Sequence, residues 1–280
     1  MRIVDTHQHL WDLDLLPYSW TARSEKYNRS FRWKDYAEAT RGYDVVKTVF
    51  LECDVDEPFQ LQEAQQLLRL SEQPDNTLSG IVAGCRPETP DFLAYLDQIV
   101  GHPNLKGLRR ILHVVPDDVS YSPHFIPNLR ALAQHNLSFD LCFFARQLPL
   151  ALRLVRACPD TQFILDHCGN PDLTNDDLSV WRAAITELAR FPNLVCKVSG
   201  IVVNTKHAGW TTDNLRPAIE HLIESFGWER LLFGSDWPVC TAAATFSQWV
   251  DALIEITKSA GEENQKKLFQ LNAERVYRLD

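Results

Sequence analysis

The stretch RIVDTH at residues 2–7 is the first of eight short runs rich in β-branched and aromatic residues, which recur along the whole chain. Residues of these types favour strands. The other runs are VVKTVFLE (45–52), LSGIVAG (78–84), LKGLRRIL (105–112), LSFDLCFF (137–144), TQFILDH (161–167), NLVCKVSG (193–200) and RLLFGSD (230–236). Their almost continuous apolar character is typical of parallel strands that are buried on both faces.

Amphipathic segments separate most of these runs and predict helices, because their apolar residues recur near i, i+3, i+4 and i+7. Four such segments are 57–71, 89–101, 178–190 and 214–227. Gly101 and Gly227 stand where helices commonly end. Eight strand–helix units in about 250 residues predict a (β/α)8 TIM barrel. A doubly wound open sheet is the alternative, because periodicity does not show whether a sheet closes.

Residues 11–34 (WDLDLLPYSWTARSEKYNRSFRWK) interrupt this pattern. The segment is rich in aromatic residues and shows no clear helix, so we expect a long loop after the first strand, over the mouth of the barrel. No Gly/Ser linker, charge block or low-complexity run divides the chain. We therefore expect a single domain over residues 1–280.

The composition excludes several classes of protein. With 280 residues, 45% hydrophobic and 23% charged, the chain can bury a sizeable core and is not disordered. A formal net charge of −9 argues against a nucleic-acid partner. No apolar run is long enough to span a bilayer, and residues 1–10 lack the apolar core of a signal peptide, so we expect a cytoplasmic protein with no membrane partner. Seven scattered cysteines without a C-x-x-C pair do not indicate a disulfide framework.

Polar residues are concentrated where the predicted strands end, which is where barrels of this type carry their chemistry. The first strand ends with His7 and His9, which alternation places on one face, about 6.5–7 Å apart at the backbone. His167 ends the sixth strand, and Asp236 follows the eighth. Because isolated buried charge is costly, this combination indicates a site for a metal ion or a substrate oxygen more than core filling.

Five motifs together resemble the amidohydrolase superfamily. They are VDTHQHLWD at 4–12, KGLRRIL at 106–112, LDHCGNP at 165–171, CKVSG at 196–200 and LLFGSDWPV at 231–239. Within the superfamily the resemblance is to the sugar lactonases of the L-fuconolactonase and L-rhamnono-lactonase type, whose relatives include 2-pyrone-4,6-dicarboxylate lactonase. It extends over essentially the whole chain, and the combination is specific where any single motif is not.

The resemblance implies roles for four residues. His7 and His9 match the first-strand H-x-H of the family, His167 its later-strand histidine, and Asp236 its last-strand carboxylate. In metal-bearing members these four hold a divalent cation, usually zinc, that activates water or polarises a carbonyl. Some lactonases of this branch use the same residues without a tightly bound metal. The expected cofactor is therefore one divalent metal, with zinc as the first choice, or none.

Opening a lactone requires that water lose a proton, that the carbonyl be polarised and that the departing alkoxide gain a proton. We assign Asp236 as the general base on water and later the proton donor. His7, His9 and His167 would stabilise the oxyanion, through a metal or by direct hydrogen bonds. The predicted function is hydrolysis of a sugar-acid lactone in carbohydrate catabolism, with a small-molecule lactone as the partner.

Substrate-binding residues are expected around this centre. Alternation allows only one of Arg109 and Arg110 to face the barrel interior, and the resemblance favours Arg109, whose guanidinium would bind a carbonyl or carboxylate. Glu52, at the end of the second strand, either bonds sugar hydroxyls or pairs with Lys197. We expect Lys197 itself to form a structural ion pair.

Aromatic residues of the loop and of the last strand end are further candidates. Trp11 and Trp237, with Tyr18 and Trp20, offer apolar faces to a sugar ring, although loop aromatics also form the loop's own core. His113, just past the fourth strand, is a candidate substrate contact. The remaining histidines are expected at the surface or at helix caps, and they are His102, His124, His135, His207 and His221.

Three alternatives to a sugar lactonase remain open. The first is a metal-dependent decarboxylase of the aminocarboxymuconate-semialdehyde type, although the additional strand histidine of those relatives is not found here. The second is a hydrolase of a pyrone or muconolactone-type lactone, and arginines near the mouth permit such an anionic substrate. The third is a barrel that binds a small molecule without turnover. The sequence does not fix the identity of the lactone or the oligomeric state.

Overall fold

The computed structural model describes residues 1–175, 177–205 and 209–279, and within these ranges one sheet of eight parallel strands forms a nearly closed barrel. The strands are β1 (Arg2–Gln8), β2 (Asp44–Leu51), β3 (Leu78–Gly84), β4 (Leu105–Ile111), β5 (Ser138–Cys142), β6 (Phe163–Leu165), β7 (Leu194–Val198) and β8 (Leu231–Phe233). Each strand pairs with the next one in the chain. The predicted (β/α)8 barrel is confirmed, and the open doubly wound sheet is excluded because its strand order would not be sequential.

Helices surround this sheet. They are α1 (Trp33–Ala39), α2 (Gln60–Leu70), α3 (Phe92–Leu96), α4 (Phe125–Ala133), α5 (Leu148–Ala157), α6 (Ser179–Leu188), α7 (Thr212–Phe226), α8 (Phe246–Thr257), α9 (Glu262–Lys266) and α10 (Asn272–Tyr277). Three of the four predicted helices are confirmed as α2, α6 and α7. The helix predicted at 89–101 is observed only as the shorter α3. After it, the Ile99 N–H donates to the Leu96 carbonyl three residues earlier, where an α-helix would use the residue four earlier. No helix within the described ranges is both long and apolar enough to cross a membrane.

Contacts between the first and the last strand close the barrel. The Asp236 N–H donates to the His7 carbonyl at 2.7 Å. The buried Asp5 carboxylate accepts hydrogen bonds from the Ser235 N–H at 2.8 Å, from the Ser235 hydroxyl at 2.5 Å and from the Tyr36 hydroxyl at 2.8 Å. This seam therefore brings the end of β1 and the turn after β8 side by side.

The barrel interior is apolar at the end where the strands begin. Side chains from the strands pack there against α10, which closes that end through Ala273, Val276 and Tyr277. The strand residues of this cluster are Val4, Val49, Leu51, Val82, Ile164, Val195 and Leu232. Polar side chains replace them towards the other end, so the chemistry is confined to the carboxyl ends of the strands.

The segment after β1 is the expected long aromatic loop. Trp11 and Phe31 pair through two backbone hydrogen bonds of 3.0 and 2.8 Å, so the loop folds back on itself. The Trp11 ring packs 4.7 Å from Phe31 and 5.3 Å from Trp20, measured between ring centres. The predicted boundary at residue 34 differs slightly, because Trp33 already begins α1.

Candidate active site

Four of the predicted site residues lie together at the carboxyl ends of the strands. The ring of His7 lies 4.9 Å from that of His9 and 4.4 Å from that of His167, between ring centres. Asp236 Oδ1 lies 3.6 Å from His7 Nε2 and 3.4 Å from His9 Nε2. His7, His9 and Asp236 are buried, and His167 is partly buried. The structure thus combines His7 of β1 with residues that closely follow β1, β6 and β8 in one cluster.

Two of these residues have an unusual backbone conformation. His167 has φ 52° and Asp236 has φ 58°, in the left-handed region that residues with a side chain seldom adopt. Two hydrogen bonds hold the turn at Asp236 in place. The Asp236 N–H donates to the His7 carbonyl, and the Cys240 N–H donates to the Asp236 carbonyl, both at 2.7 Å. Such conformations persist where the surrounding structure enforces them, which is common at functional sites.

Gly200 allows the His167 ring to lie where it does. A Cβ atom at Gly200 would lie 2.4 Å from His167 Nδ1 and 3.1 Å from Asp236 Oδ2. The φ of Gly200 is +61°, which also favours glycine. The CKVSG motif therefore contributes space to the site as well as a strand.

The hydrogen bonding of His9 fixes which of its nitrogens faces the site. Its Nδ1 lies 2.9 Å from the Leu51 carbonyl oxygen. Because a carbonyl oxygen only accepts, Nδ1 carries the hydrogen, and a neutral ring then has a lone pair on Nε2. That lone pair faces Asp236 Oδ1 at 3.4 Å. Two acceptors at this distance repel each other unless a proton or a cation lies between them.

The donor set is compatible with a divalent metal ion. Ligand atoms of His7, His9 and Asp236 lie within 4.8 Å of one another, and so do those of His7, Asp166 and His167. Burial lowers the pKa of His7 well below its ordinary value and also lowers the pKa of His167, which favours the neutral form that binds metals. Imidazole nitrogens with a carboxylate oxygen are the ligands that zinc prefers. Asp166, which sequence reasoning did not single out, is thus a further potential ligand.

Arg109 faces the interior, next to this cluster. Its guanidinium donates to Glu52 Oε1 at 3.0 Å, to the Glu52 carbonyl at 2.6 Å and to Asp166 Oδ2 at 3.3 Å. Its Nη1 also lies 3.3 Å from His7 Nε2. Arg110 points to the other face of β4 and forms its ion pair there. The structure therefore distinguishes the two arginines, which the sequence alone did not.

Lys197 forms a buried ion pair, but not with Glu52. Its Nζ contacts Asp140 Oδ2 and lies 3.2 Å from Asp166 Oδ1. The possible Lys197–Glu52 pair is wrong, because Lys197 on β7 contacts carboxylates on β5 and after β6, whereas Glu52, after β2, is held by Arg109.

Two carboxylates share the one ammonium group of Lys197, and all three side chains are fully buried. Burial raises the pKa of Asp140 to about 7 despite Lys197, and the neighbouring Asp166 adds to this shift. Against the effect of burial, Lys197 and His7 lower the pKa of Asp166 well below its usual range. The carboxylate beside His7 is therefore the one that stays ionised.

A cavity of about 340 Å³ opens onto the cluster, a size that suits a small ligand. Its lining includes the predicted residues His9, Trp11, Glu52, Arg109, His167 and Asp236. His7 lies behind this surface, in contact with Asp236. Asp236 is thus in reach both of the histidines and of a ligand in the cavity.

The two tryptophans predicted for substrate binding differ in position. Trp11 lines the cavity but is only 2% exposed, and its indole N–H donates to the Arg29 carbonyl at 2.7 Å. Trp237 is not among the residues that line the cavity, and it packs instead on Phe31 and Tyr36. Because the Asp236 side chain faces the cavity, the side chain of Trp237, the next residue in the turn, points away from the cavity. Stacking of Trp237 on a substrate is therefore not supported.

Sequence reasoning missed several polar residues of the cavity. The residues with polar or thiol side chains that line it without having been proposed for the site are Cys53, Asp54, Cys142, Asn170 and Asn204. Asn170 stands within the LDHCGNP motif, and Cys142 ends β5, within a run predicted as a strand. The others depend on loop paths that the sequence does not reveal. His113 also lines the cavity, as anticipated for a substrate contact. His207 lies outside the described residues.

The chain belongs to the amidohydrolase family, whose sequence model matches residues 4–279. An L-fucono-1,5-lactonase from Burkholderia ambifaria is 27% identical over 99% of this chain and 96% of its own. An L-rhamnono-gamma-lactonase from Scheffersomyces stipitis is 23% identical over 99% of both chains. A crystal structure of a Burkholderia multivorans amidohydrolase with bound zinc has a TM-score of 0.89 at 24% identity, over 100% of both chains. These findings confirm the resemblance that the motifs indicated.

Proposed function

We propose that this protein hydrolyses the ring ester of a sugar-acid lactone. The observation that carries the proposal is the position of Asp236, whose carboxylate borders the cavity and lies within 3.6 Å of two histidine nitrogens. The lactonase names of the two full-length relatives support it. A role in carbohydrate catabolism is part of the same proposal.

Asp236 acts first as a base and later as an acid. It takes a proton from a water molecule as the water oxygen bonds to the lactone carbonyl carbon, and a tetrahedral oxyanion forms. When the bond between that carbon and the ring oxygen breaks, Asp236 returns the proton to the departing alkoxide. Water is consumed, the open-chain hydroxy acid is formed, and Asp236 is restored.

Arg109 stabilises the negative charge that develops in this reaction, and the histidines would add to this through a bound cation, because the Nε2 lone pairs of His7 and His9 face Asp236. His9 is oriented by Leu51, and His7 lies between Asp236 and the ionised Asp166. The guanidinium of Arg109 brings a fixed positive charge to 3.3 Å from His7 Nε2. Fixed, preorganised charges of this kind are effective because the site is buried and need not reorganise during the reaction.

A divalent metal fits the same residues. His7, His9 and Asp236 would hold it, with His167 and Asp166 as further candidates, and when bound it would polarise a carbonyl and make a water molecule more acidic. The zinc in the Burkholderia multivorans structure supports zinc as the ion.

Polar groups around the cavity suit a hydroxylated ring. Asp54 and Asn170 line it together with Glu52, whose Oε1 is already held by Arg109. Trp11 and Trp20 add apolar surface on the loop side. A ring with hydroxyls at its edge and apolar C–H faces matches such a mixture.

The experiment that tests the proposal is a pH-indicator assay with a panel of aldono-1,4- and 1,5-lactones and pyrone dicarboxylate. We expect acid release from at least one aldonolactone, and a decrease in kcat of about 10²–10⁴-fold in Asp236→Asn. Asp213→Asn, on the exposed first turn of α7, is the matched control and should retain activity. A folded wild-type protein that releases no acid from the panel, with added zinc, would refute the proposal.

The same assay tests the metal. Loss of activity with a chelator and recovery with zinc would show that the reaction requires a metal, for which His7, His9 and Asp236 are the proposed ligands. Full activity after chelation, with no metal detected in the purified protein, would show that these side chains act directly.

A further inference from the structure

His113 lies on a wall of the cavity that the proposed mechanism does not use. It follows β4, which ends at Ile111, whereas Asp236 follows β8. The sheet order places β4 and β8 four strands apart in either direction round the barrel. Both residues line the same cavity. A ligand bound next to Asp236 therefore has its far side towards His113.

The imidazole ring of His113 is held at one nitrogen. Its Nδ1 lies 3.1 Å from the Sγ of Cys142, the last residue of β5. The Phe144 ring packs against it with 4.8 Å between ring centres. Nε2 has no hydrogen-bond partner among the residues that the structure describes. This nitrogen is the one that remains available to a ligand.

Burial sets the protonation states of this pair. It raises the pKa of the Cys142 thiol well above its usual range, so the sulfur keeps its proton. Burial, with His167 and Arg109 nearby, lowers the pKa of His113 to about 4, against a hydrogen bond to the Cys142 backbone, so the ring is neutral near pH 7. A thiol can donate to an imidazole lone pair or accept from an imidazole N–H, so Cys142 engages Nδ1 in either tautomer. Nε2 is then the ring nitrogen that is left for a ligand.

We propose that His113 binds the substrate, through a hydrogen bond between Nε2 and a hydroxyl group on the side of the sugar lactone away from Asp236, and that Cys142 is the positioning residue that holds the ring. This inference rests on the proposed lactonase function. It makes His113 a specificity-determining residue, because it contacts a substituent and not the reacting carbonyl. The thiol acts only through the ring.

Kinetics with an aldonolactone that the wild type opens test the contact. His113→Phe removes the ring nitrogens and keeps a flat ring, and we expect KM to rise about 10-fold or more with kcat changed by less than about 3-fold. His113→Phe should also lose the wild-type preference for the lactone over analogues that lack one hydroxyl. His113→Gln restores a side chain that can hydrogen-bond and should recover part of the loss. His135→Phe, on an exposed residue outside the cavity, is the matched control. An unchanged KM in His113→Phe would overturn the proposal.

The nitrogen-15 signals of the His113 ring test the role of Cys142 independently of activity. We expect the Nδ1 signal to move in Cys142→Ala, which removes its partner, and to stay near the wild-type position in Cys142→Ser, whose hydroxyl can still hydrogen-bond. Cys142→Ala should also raise KM by about 2- to 5-fold, whereas Cys158→Ala, a buried thiol outside the cavity lining, should change neither. A Cys142→Ala variant with the wild-type Nδ1 signal and KM would overturn the positioning role of Cys142.

Different results would refute the proposed lactonase function and the proposed role of His113. A wild type that opens no lactone refutes the proposed function, whatever the ring signals show. A wild type that opens lactones, with His113→Phe indistinguishable from it, refutes only the role of His113.

Discussion

Replacement of Lys197 by methionine should destabilise the fold strongly, although it keeps most of the side-chain volume. The Lys197 ammonium is fully buried between Asp140 and Asp166. Removal of one partner from a buried ion pair costs about 3–5 kcal/mol, because the buried carboxylates lose their nearest cation. With about 2.1 cal/mol/K of unfolding entropy per residue, the 280-residue chain should lose about 5–8 °C in Tm.

Urea and thermal unfolding at pH 7 measure this loss, with Lys258→Met as the matched control because Lys258 is 75% exposed. Asp140→Asn is the informative companion variant. Because the pKa of Asp140 is already about 7, its neutralisation should cost less than about 1 kcal/mol alone and should recover part of the loss in Lys197→Met. The reasoning is refuted if Lys197→Met lies within about 1 kcal/mol of the wild type, or if Asp140→Asn is as costly.

Three further substitutions test other features. Gly200→Ala should remove most activity and leave the circular dichroism spectrum unchanged, because its Cβ would lie 2.4 Å from His167 Nδ1; near-wild-type kcat would contradict this. Burial raises the pKa of Glu63 from 4.5 to about 8, so its contribution to stability is full below pH 4.5 and is lost as the pH rises through 8. Glu63→Gln should therefore become more stable relative to the wild type between pH 5 and pH 9 in urea unfolding, and a constant difference would exclude this role. Asp5→Asn should cost about 3 kcal/mol or more in the same assay, because its oxygens accept two hydrogen bonds from Ser235 alone; a loss under about 1 kcal/mol would be inconsistent with the seam.

Most of the barrel could be predicted because the signal was local. Each strand is a run of β-branched or aromatic residues between turn residues, and parallel strands buried on both faces can be recognised without an alternation of polar and apolar residues. The predicted positions of the strand ends were less accurate. β6 was expected to reach His167, but it ends at Leu165, because the backbone then enters the left-handed region. Histidine and cysteine seldom adopt the left-handed region, so the residue types of His167 and Cys168 do not predict that turn.

The four residues at the centre of the candidate site could be predicted from the sequence, but the contacts of the residues around them could not. His7, His9, His167 and Asp236 were found because strand ends and family motifs select them. The partner of Glu52 was not found, because Glu52 follows β2 and Arg109 lies on β4, so their contact passes over β3 and is not set by strand pairing. The same holds for Trp237, whose direction is set by the turn at the preceding residue.

The seam between β1 and β8 also has a consequence for protein synthesis. Asp5 and Ser235, which meet there, are 230 positions apart in the chain. A ribosome that adds about 5–20 residues per second needs on the order of 10–50 s to make the intervening sequence. During that time the nascent chain already carries both first-strand histidines but has no Asp236 to complete the cluster. Catalysis by a nascent chain therefore cannot begin before β8 has left the ribosome and paired with the oldest strand.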